Sequence, residues 1–246
     1  MQSPLIGVID FETTGISSAG GDRATEVAIV LTERGRVVDR FQSLMNAGLR
    51  VPSFITQLTG ITNAMVQAAP PAAHVMRDAA RFVGEVPLVA HNASFDQRWW
   101  RAELALAGEA APHPFACTVL LSRRLYPHVT SHRLGALADH FSLPRSGRAH
   151  RALADAEVTA ELLARMRHDL RTHHGVAEPD HAFLRALQAC SRAQRARKNA
   201  LQRRRQRESY VQQRRWDDLL RDAETFHDQV CALLHIDRQQ SLPAAG

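Results

Sequence analysis

A run of apolar residues from Leu5 to Phe11 is the feature that most constrains the fold of this chain. The run shows little alternation of apolar and polar positions, which is typical of a central strand covered on both faces. Two further strand candidates, Glu26 to Leu31 and Val37 to Leu44, flank a turn at Arg34 to Arg36 and indicate a hairpin. The chain is therefore predicted to begin with a meander of three strands.

Helices and strands alternate after this meander. Apolar residues at helical spacing predict four helices, over about residues 73–83, 94–107, 118–126 and 132–141. A short apolar run predicts a strand over residues 86–90. A last helix is predicted to begin between Arg148 and Ala152 and to reach about Leu170. This order predicts an α/β domain with a mixed sheet and helices on its faces, ending near residue 172.

The positive charge of the chain lies mainly after this domain. The net charge is +6, and residues 1–170 hold 17 basic and 16 acidic side chains, which leaves 14 basic and 9 acidic for residues 171–246. The stretch from Arg192 to Arg207 has eight basic residues and no acidic one, a pattern that attracts phosphate or an acidic partner. Residues 173–246 are predicted to form a basic, helical tail.

Three readings of the tail stay open. Its basic stretch can bind a nucleic-acid backbone. An apolar stripe at helical intervals between Trp216 and Leu233 can dock onto a polymerase or onto a second copy of the chain. The tail can also be a solvated helical appendage without a partner.

Composition excludes several other classes of protein. An apolar fraction of 45% over 246 residues can fill a substantial core. The three cysteines, Cys117, Cys190 and Cys231, have none of the spacings of zinc or disulfide frameworks. No run of about 18 apolar residues and no export signal is visible in the sequence. We expect a cytoplasmic protein that does not contact membranes.

Asp10 and Glu12 are the first pair of residues that suggest chemistry. Positions two apart in a strand point to the same side, so both carboxylates project together from the end of an apolar strand. Two like charges this close share a proton or hold cations, and oxygen ligands suit Mg²⁺ or Mn²⁺. The alternative is a pair of solvated acids at the end of a strand.

Asp96 is the second element, within the sequence HNASFD that follows the short strand. Asn92 or Ser94 fits an N-cap, which places Asp96 in the first turn of a helix. The helix dipole favours a carboxylate there whatever its function. Its position is more informative, because ligands of open α/β sheets gather at the carboxyl ends of strands.

His150 and Asp155 form the third element. Asp155 heads a helical row that continues through Thr159, Leu162 and Met166, so it is predicted to point inward, where an acid needs a partner or a metal. His150 lies five positions earlier, about 140° away around an ideal helix. It cannot share that helical face and is expected just before or at the helix start. A purely structural histidine is the alternative.

Together these elements resemble the DEDDh group of 3′ exonucleases within the ribonuclease H-like superfamily. The sequences that carry the resemblance are VIDFETTG, LTGIT, HNASFD and HRALADAEVTAELL. They occur in the order of the family between about residues 5 and 170, and they look most like the proofreading subunits of bacterial replicative polymerases. The resemblance implies a mixed five-stranded sheet flanked by helices, with the helical tail appended.

The resemblance also implies a mechanism. Two divalent cations, Mg²⁺ or Mn²⁺, would be held by Asp10, Glu12, Asp96 and Asp155 and would promote in-line displacement at a phosphodiester. His150 would act as the general base, and nucleoside 5′-monophosphates would be released. Residues expected to contact the substrate are Phe11, Thr13, Leu58, Thr59, Asn92 and Phe95.

Three functions are compatible with these residues. The first is a DNA 3′-5′ exonuclease that acts on single-stranded or 3′-frayed DNA in proofreading or repair, alone or beside a polymerase. The second is an RNA-trimming enzyme, because the metal chemistry acts on phosphate and does not itself distinguish sugars. The third is an inactive adaptor for nucleic acid or a polymerase, although such a scaffold has no physical reason to keep four converging carboxylates.

Overall fold

The computed structural model describes residues 5–145, 147 and 149–189. The strands of the described residues are β1 (Ile6–Thr13), β2 (Ala24–Glu33), β3 (Arg36–Leu44), β4 (Leu88–Ala90) and β5 (Phe115–Cys117). Their α-helices are α1 (Ser53–Thr59), α2 (Asn63–Ala68), α3 (Ala72–Val83), α4 (Ala93–Ala107), α5 (Thr118–Leu125), α6 (Leu134–His140), α7 (Ala152–His174) and α8 (His181–Ala189). The predictions for the basic stretch, the apolar stripe, Cys190 and Cys231 lie outside the described residues.

The five strands form one mixed sheet in the order β3-β2-β1-β4-β5. The first three strands are antiparallel, and β4 and β5 run parallel to β1. The meander and the mixed α/β sheet are therefore confirmed. Arg34 and Gly35 both have positive φ, 51° and 78°, as a tight turn between twisted antiparallel strands requires.

The residues of β1 alternate between two faces of the sheet. Ile9 and Phe11 lie in a buried core cluster that includes Trp99 and Trp100 of α4. Asp10 and Glu12 therefore belong to the opposite face, since side chains alternate along a strand. Helix α7 lies on that opposite side, where Glu157 forms an ion pair with Arg40 of β3.

Three short elements were not located from the sequence, although the resemblance implied a fifth strand. Helices α1 and α2 have 7 and 6 residues, and β5 has 3, which is too short for a hydrophobic period to be visible. Ile55 of α1 packs in a small cluster with Leu44 at the end of β3. Leu44 pairs with Glu26, and Glu26 pairs with Glu12. Helix α1 therefore lies near the carboxyl end of β1.

Helix α7 extends to His174, four residues beyond its predicted end at Leu170. The chain divides into two compact units after Arg167, which falls inside this helix. The predicted domain boundary at residue 172 stays a prediction. Within the described residues, no helix combines the length and the apolar character needed to cross a bilayer.

Candidate active site

Asp10 and Glu12 lie at the carboxyl end of the central strand, as the sequence predicted. The register between β1 and β2 shifts between Glu12 and Thr13, so the regular ladder ends at this pair. Both acids are half-buried. Phe11, between them, is only 4% exposed and anchors this part of the strand in the core.

Asp96 reaches the same strand end from helix α4. Asn92 occupies the N-cap position with φ of 68°, and Asp96 falls in the first turn of the helix, as predicted. One carboxylate oxygen of Asp96 accepts a hydrogen bond from the backbone N–H of Phe11 at 3.2 Å. Because Phe11 lies between Asp10 and Glu12, this bond fixes Asp96 beside both.

His150 and Asp155 approach from the start of α7. The helix begins at Ala152, so His150 precedes it by two residues, as predicted, and has a positive φ of 60°. The backbone N–H of His150 donates to a carboxylate oxygen of Asp155 at 3.2 Å. One ligand atom from each of Glu12, His150 and Asp155 lies within 4.8 Å of the other two.

The carboxyl groups of this site are close enough to raise one another's pKa. Burial, followed by the charges of Asp96 and Glu12, holds the pKa of Asp10 well above its usual range. Burial and the charge of Asp155 raise the pKa of Glu12 to about 8, although Arg151 acts in the opposite direction. Burial also raises the pKa values of Asp96 and Asp155. The tertiary structure thus brings four mutually repelling acids together.

This donor set fits divalent cations. Ionised carboxylates crowded in a partly buried site need compensating positive charge, and a bound cation supplies it. Carboxylate oxygens are the ligands that Mg²⁺ and Mn²⁺ prefer. Glu12 and Asp155 offer such oxygens within reach of one common ion. The repulsion that raises these pKa values is therefore what makes the site attractive to metal.

Glu26 and Arg151 belong to the surroundings of this site and were not singled out from the sequence. Glu26 is fully buried on β2 and lies opposite Glu12 in the sheet. Arg151, next to His150, donates two hydrogen bonds to the carboxylate of Glu26. The sequence contains a signal for this pair, because Glu26 is an acid within the apolar strand ATEVAIVL. A buried carboxylate requires a partner, so this position could have been singled out.

His91 connects the loop before Asp96 to two other segments. Its Nδ1 lies 2.9 Å from Oγ1 of Thr118, and its Nε2 lies 3.0 Å from the carbonyl oxygen of His132. A carbonyl oxygen only accepts, so Nε2 carries a proton. Burial lowers the pKa of His91 to about 4. The ring is therefore neutral and braces the loop that leads to Asn92 and Asp96.

The predicted substrate contacts divide into two groups. Phe11, Thr13 and Thr59 are only 4%, 6% and 1% exposed, so little of their surface is open to a substrate in this structure. The hydroxyl of Thr59 donates to the carbonyl of Ile55 within its own helix. An inward hydroxyl at the end of a helix commonly bonds to the backbone in this way, and the predicted contact of Thr59 with the terminal nucleotide stays a prediction.

Leu58, Asn92 and Phe95 keep accessible surface. Leu58 is 47% exposed on α1, Asn92 is exposed, and Phe95 is half-buried. The ring of Phe95 packs edge-on against Trp99, with centroids 5.9 Å apart, and the guanidinium of Arg98 lies over it at 5.7 Å. These three residues remain available for contact with a ligand.

Sequence comparisons place the chain in a family. The family described as Exonuclease matches residues 8–163. The PolC-type DNA polymerase III of Bacillus subtilis (strain 168) is 39% identical over 164 residues, which is 66% of this chain but 11% of that protein. The 3′-5′ exonuclease DinG of the same organism is 37% identical over 165 residues, 67% of this chain and 18% of that protein. The chain thus spans less than a fifth of these relatives.

Solved structures share the fold. A structure of exonuclease X in complex with 5′ overhanging duplex DNA is 28% identical, with a TM-score of 0.57, and the match covers 73% of this chain and 98% of that one. The nuclease domain of 3′hExo, described as a DEDDh family member bound to rAMP, is 20% identical with a TM-score of 0.59, over 68% and 93% of the two chains. From its sequence match the chain belongs to the Exonuclease family, and its sheet has the fold seen in the DEDDh family member.

Proposed function

We propose that this protein is a metal-dependent 3′-5′ exonuclease that removes nucleotides from the 3′ end of DNA. The observation that carries the proposal is the convergence of carboxylates from β1, α4 and α7 beside the imidazole of His150. Three distant segments of chain supply these groups. Repulsion among crowded carboxylates destabilises the folded protein, and the hydrolysis of phosphodiesters with bound metal ions is a reaction that such a site can promote.

The residues of the site divide the work. Asp10, Glu12, Asp96 and Asp155 would hold two divalent cations, Mg²⁺ or Mn²⁺. When bound, such cations favour ionisation of the attacking water and neutralise charge that develops on the phosphate. The imidazole of His150 would accept the proton of that water as the water oxygen bonds to phosphorus. The bond to the 3′ oxygen breaks, that oxygen takes up a proton, and a nucleoside 5′-monophosphate leaves.

DNA is the substrate that the similarities favour. One similar sequence is named as a DNA polymerase, another as a 3′-5′ exonuclease, and one similar structure holds duplex DNA. The proposed place of action is therefore proofreading or repair in the cytoplasm, on single-stranded or frayed 3′ ends. Association with a polymerase or with a second copy is part of the same proposal and would involve the tail predicted from the sequence.

The proposal is tested with three oligonucleotides of one sequence: single-stranded DNA, duplex DNA with a mismatched 3′ end, and RNA. Each is incubated with Mg²⁺, with Mn²⁺ and with a chelator, beside the Asp10→Ala variant. We expect stepwise release of 5′-monophosphates from DNA that requires both the cation and Asp10. Faster release from RNA would reassign the substrate. Release that persists in chelator, or in the variant, would contradict the proposed site.

Asp78 supplies a matched control for Asp10. It is an exposed acid on α3 whose carboxylate pairs with Arg81 in the same helix, and such surface pairs contribute little to stability. Asp78→Ala is therefore expected to leave nuclease activity unchanged. A contaminating nuclease would be equally active in preparations of the wild type and of both variants.

A further inference from the structure

Glu26 is a fully buried carboxylate that the proposed chemistry does not use. It lies on β2 directly opposite Glu12 of β1. Its two oxygens accept hydrogen bonds from Nε and Nη2 of Arg151, at 3.1 and 2.7 Å, and from the backbone N–H of Ala152, at 3.0 Å. Gln42 of β3 donates a further hydrogen bond at 2.7 Å. Glu26 is thereby engaged by its neighbours and is not placed as a cation ligand.

Two of the residues that bind Glu26, Arg151 and Ala152, lie between His150 and Asp155 in the chain. Arg151 follows His150 directly, and Ala152 is the first residue of α7. Glu26 therefore holds Arg151, which lies between the proposed base and the helix that carries Asp155, and also Ala152, the first residue of that helix. A carboxylate at the first N–H groups of a helix is also favoured by the helix dipole.

We propose that the buried ion pair of Glu26 with Arg151 positions His150 and Asp155 against Glu12, so that the proposed cation site forms on assembly of the fold. The inference rests on the proposed exonuclease function and deepens it. The backbone of His150 has a positive φ of 60°, a conformation that costs free energy in a residue with a side chain. The bidentate ion pair between Arg151 and Glu26 helps to hold this segment, because two parallel hydrogen bonds fix both the distance and the orientation of the guanidinium and the carboxylate.

The protein contains a second ion pair with the same chemistry, which serves as a control. Glu103 of α4 is 1% exposed and accepts from Nε and Nη2 of Arg23 at 2.9 and 2.8 Å. It also accepts from the backbone N–H of Ala24, the first residue of β2, at 2.9 Å. This pair therefore fastens the start of β2, whereas the Glu26 pair fastens the segment that bears His150 and Asp155.

The test compares Glu26→Gln and Arg151→Met with Glu103→Gln in the full-length chain. Affinity for Mn²⁺ is measured by calorimetry without substrate, and kcat and KM are measured on single-stranded DNA. We expect Glu26→Gln and Arg151→Met each to lower Mn²⁺ affinity and kcat by about 10- to 100-fold, as the loss of groups that orient metal ligands does. We expect KM for DNA to change much less. Glu103→Gln should lower the thermal midpoint but leave Mn²⁺ affinity near that of the wild type.

The double variant and a milder substitution complete the experiment. Glu26→Gln combined with Arg151→Met should be no more defective than the worse single variant, because both remove one interaction. Arg151→Lys keeps the charge without the fork and should fall between the wild type and Arg151→Met. It also keeps the test decisive if a harsher variant does not fold.

Two results separate this inference from the proposed function. If the wild type itself shows no metal-dependent nuclease activity, the proposed function fails. If the wild type is active but Glu26→Gln and Arg151→Lys bind Mn²⁺ as tightly as Glu103→Gln does, only the positioning role fails. Additive losses in the double variant would also overturn it, since they would show that the two residues act separately.

Discussion

Asp10 illustrates how one residue opposes stability while serving function. Its carboxyl is buried beside Asp96, Glu12 and Asp155. Asp10→Asn removes one charge from this group, so at pH 9 without divalent cations the variant should melt at a higher temperature than the wild type. Nuclease activity should fall by about 10³-fold, since several kcal/mol of charge stabilisation depend on the bound cations. Thermal melts with chelator and with Mg²⁺ check this. A variant that gains as much stability from Mg²⁺ as the wild type would contradict it.

The acidic site also predicts how stability depends on pH. Unfolded carboxyl groups ionise near pH 4, whereas burial and Asp155 raise the pKa of Glu12 to about 8 in the folded protein. The folded state therefore binds more protons between these values, and its stability falls as pH rises through that window. Without divalent cations, we expect this contribution to be present below pH 4 and lost by about pH 8. Denaturant melts at several pH values measure it, and saturating Mg²⁺ should flatten the trend.

Leu58 and Thr59 are neighbours with opposite expected roles. Thr59→Val removes a buried hydroxyl that donates to the carbonyl of Ile55 and accepts from the N–H of Ile61. We expect it to cost about 1–3 kcal/mol of stability and to change KM little. Leu58→Ala removes exposed apolar surface and should raise KM for DNA while the melting temperature stays near that of the wild type. The reverse pattern would assign the nucleotide contact to Thr59.

At the scale of elements, the entry into α4 depends on one unusual backbone conformation. Asn92 has a φ of 68° and occupies the N-cap position of the helix that presents Asp96. Asn92→Val should cost about 1–2 kcal/mol, since a branched side chain is strained there, and should weaken Mn²⁺ binding by displacing Asp96. Asn92→Gly is the matched control, because glycine adopts positive φ freely. Chemical denaturation and calorimetry compare the two, and equal losses in both variants would place the effect in the Asn92 side chain itself.

Elements of different length were predictable to different degrees. Long periodic segments such as α3 and α4 were placed within one residue of their observed bounds, because many repeats of an apolar period indicate the same helix. Helices α1 and α2 could not be predicted, because one or two helical turns contain too few repeats of the apolar period. Strand β5 has three residues, Phe115–Cys117, and is defined by its parallel pairing with β4, a long-range contact without a local signature.

At the scale of the whole molecule, the distribution of charge predicts how the chain binds nucleic acid. Replacing the eight basic residues between Arg192 and Arg207 by glutamine lowers the net charge of the chain by 8. If this stretch binds the backbone of DNA, affinity should fall and its dependence on salt should become shallower, since fewer counterions are released. Binding is measured at several salt concentrations, and kcat on short oligonucleotides serves as the control. An unchanged salt slope would leave docking to a partner, or no role, for the tail.

The alternation of strands and helices and the five residues of the proposed site could both be predicted from the order of residues along the chain. A period of two or 3.6 residues is a local property, and the order of Asp10, Glu12, Asp96, His150 and Asp155 can be read along the chain. Asp96, for example, was predicted to lie in the first turn of a helix, and it lies in the first turn of α4.

The way these residues meet, and the bonds that hold them, depend on long-range packing and could not be predicted from local sequence. The bond from Phe11 to Asp96 spans 85 positions and the bonds from Arg151 to Glu26 span 125, so neither has a periodic signal. Burial could not be predicted either: Thr59 is buried in the folded protein, and burial raises the pKa of Glu12. Solvent exclusion depends on every segment that packs around a group, and it is therefore a property of the assembled fold.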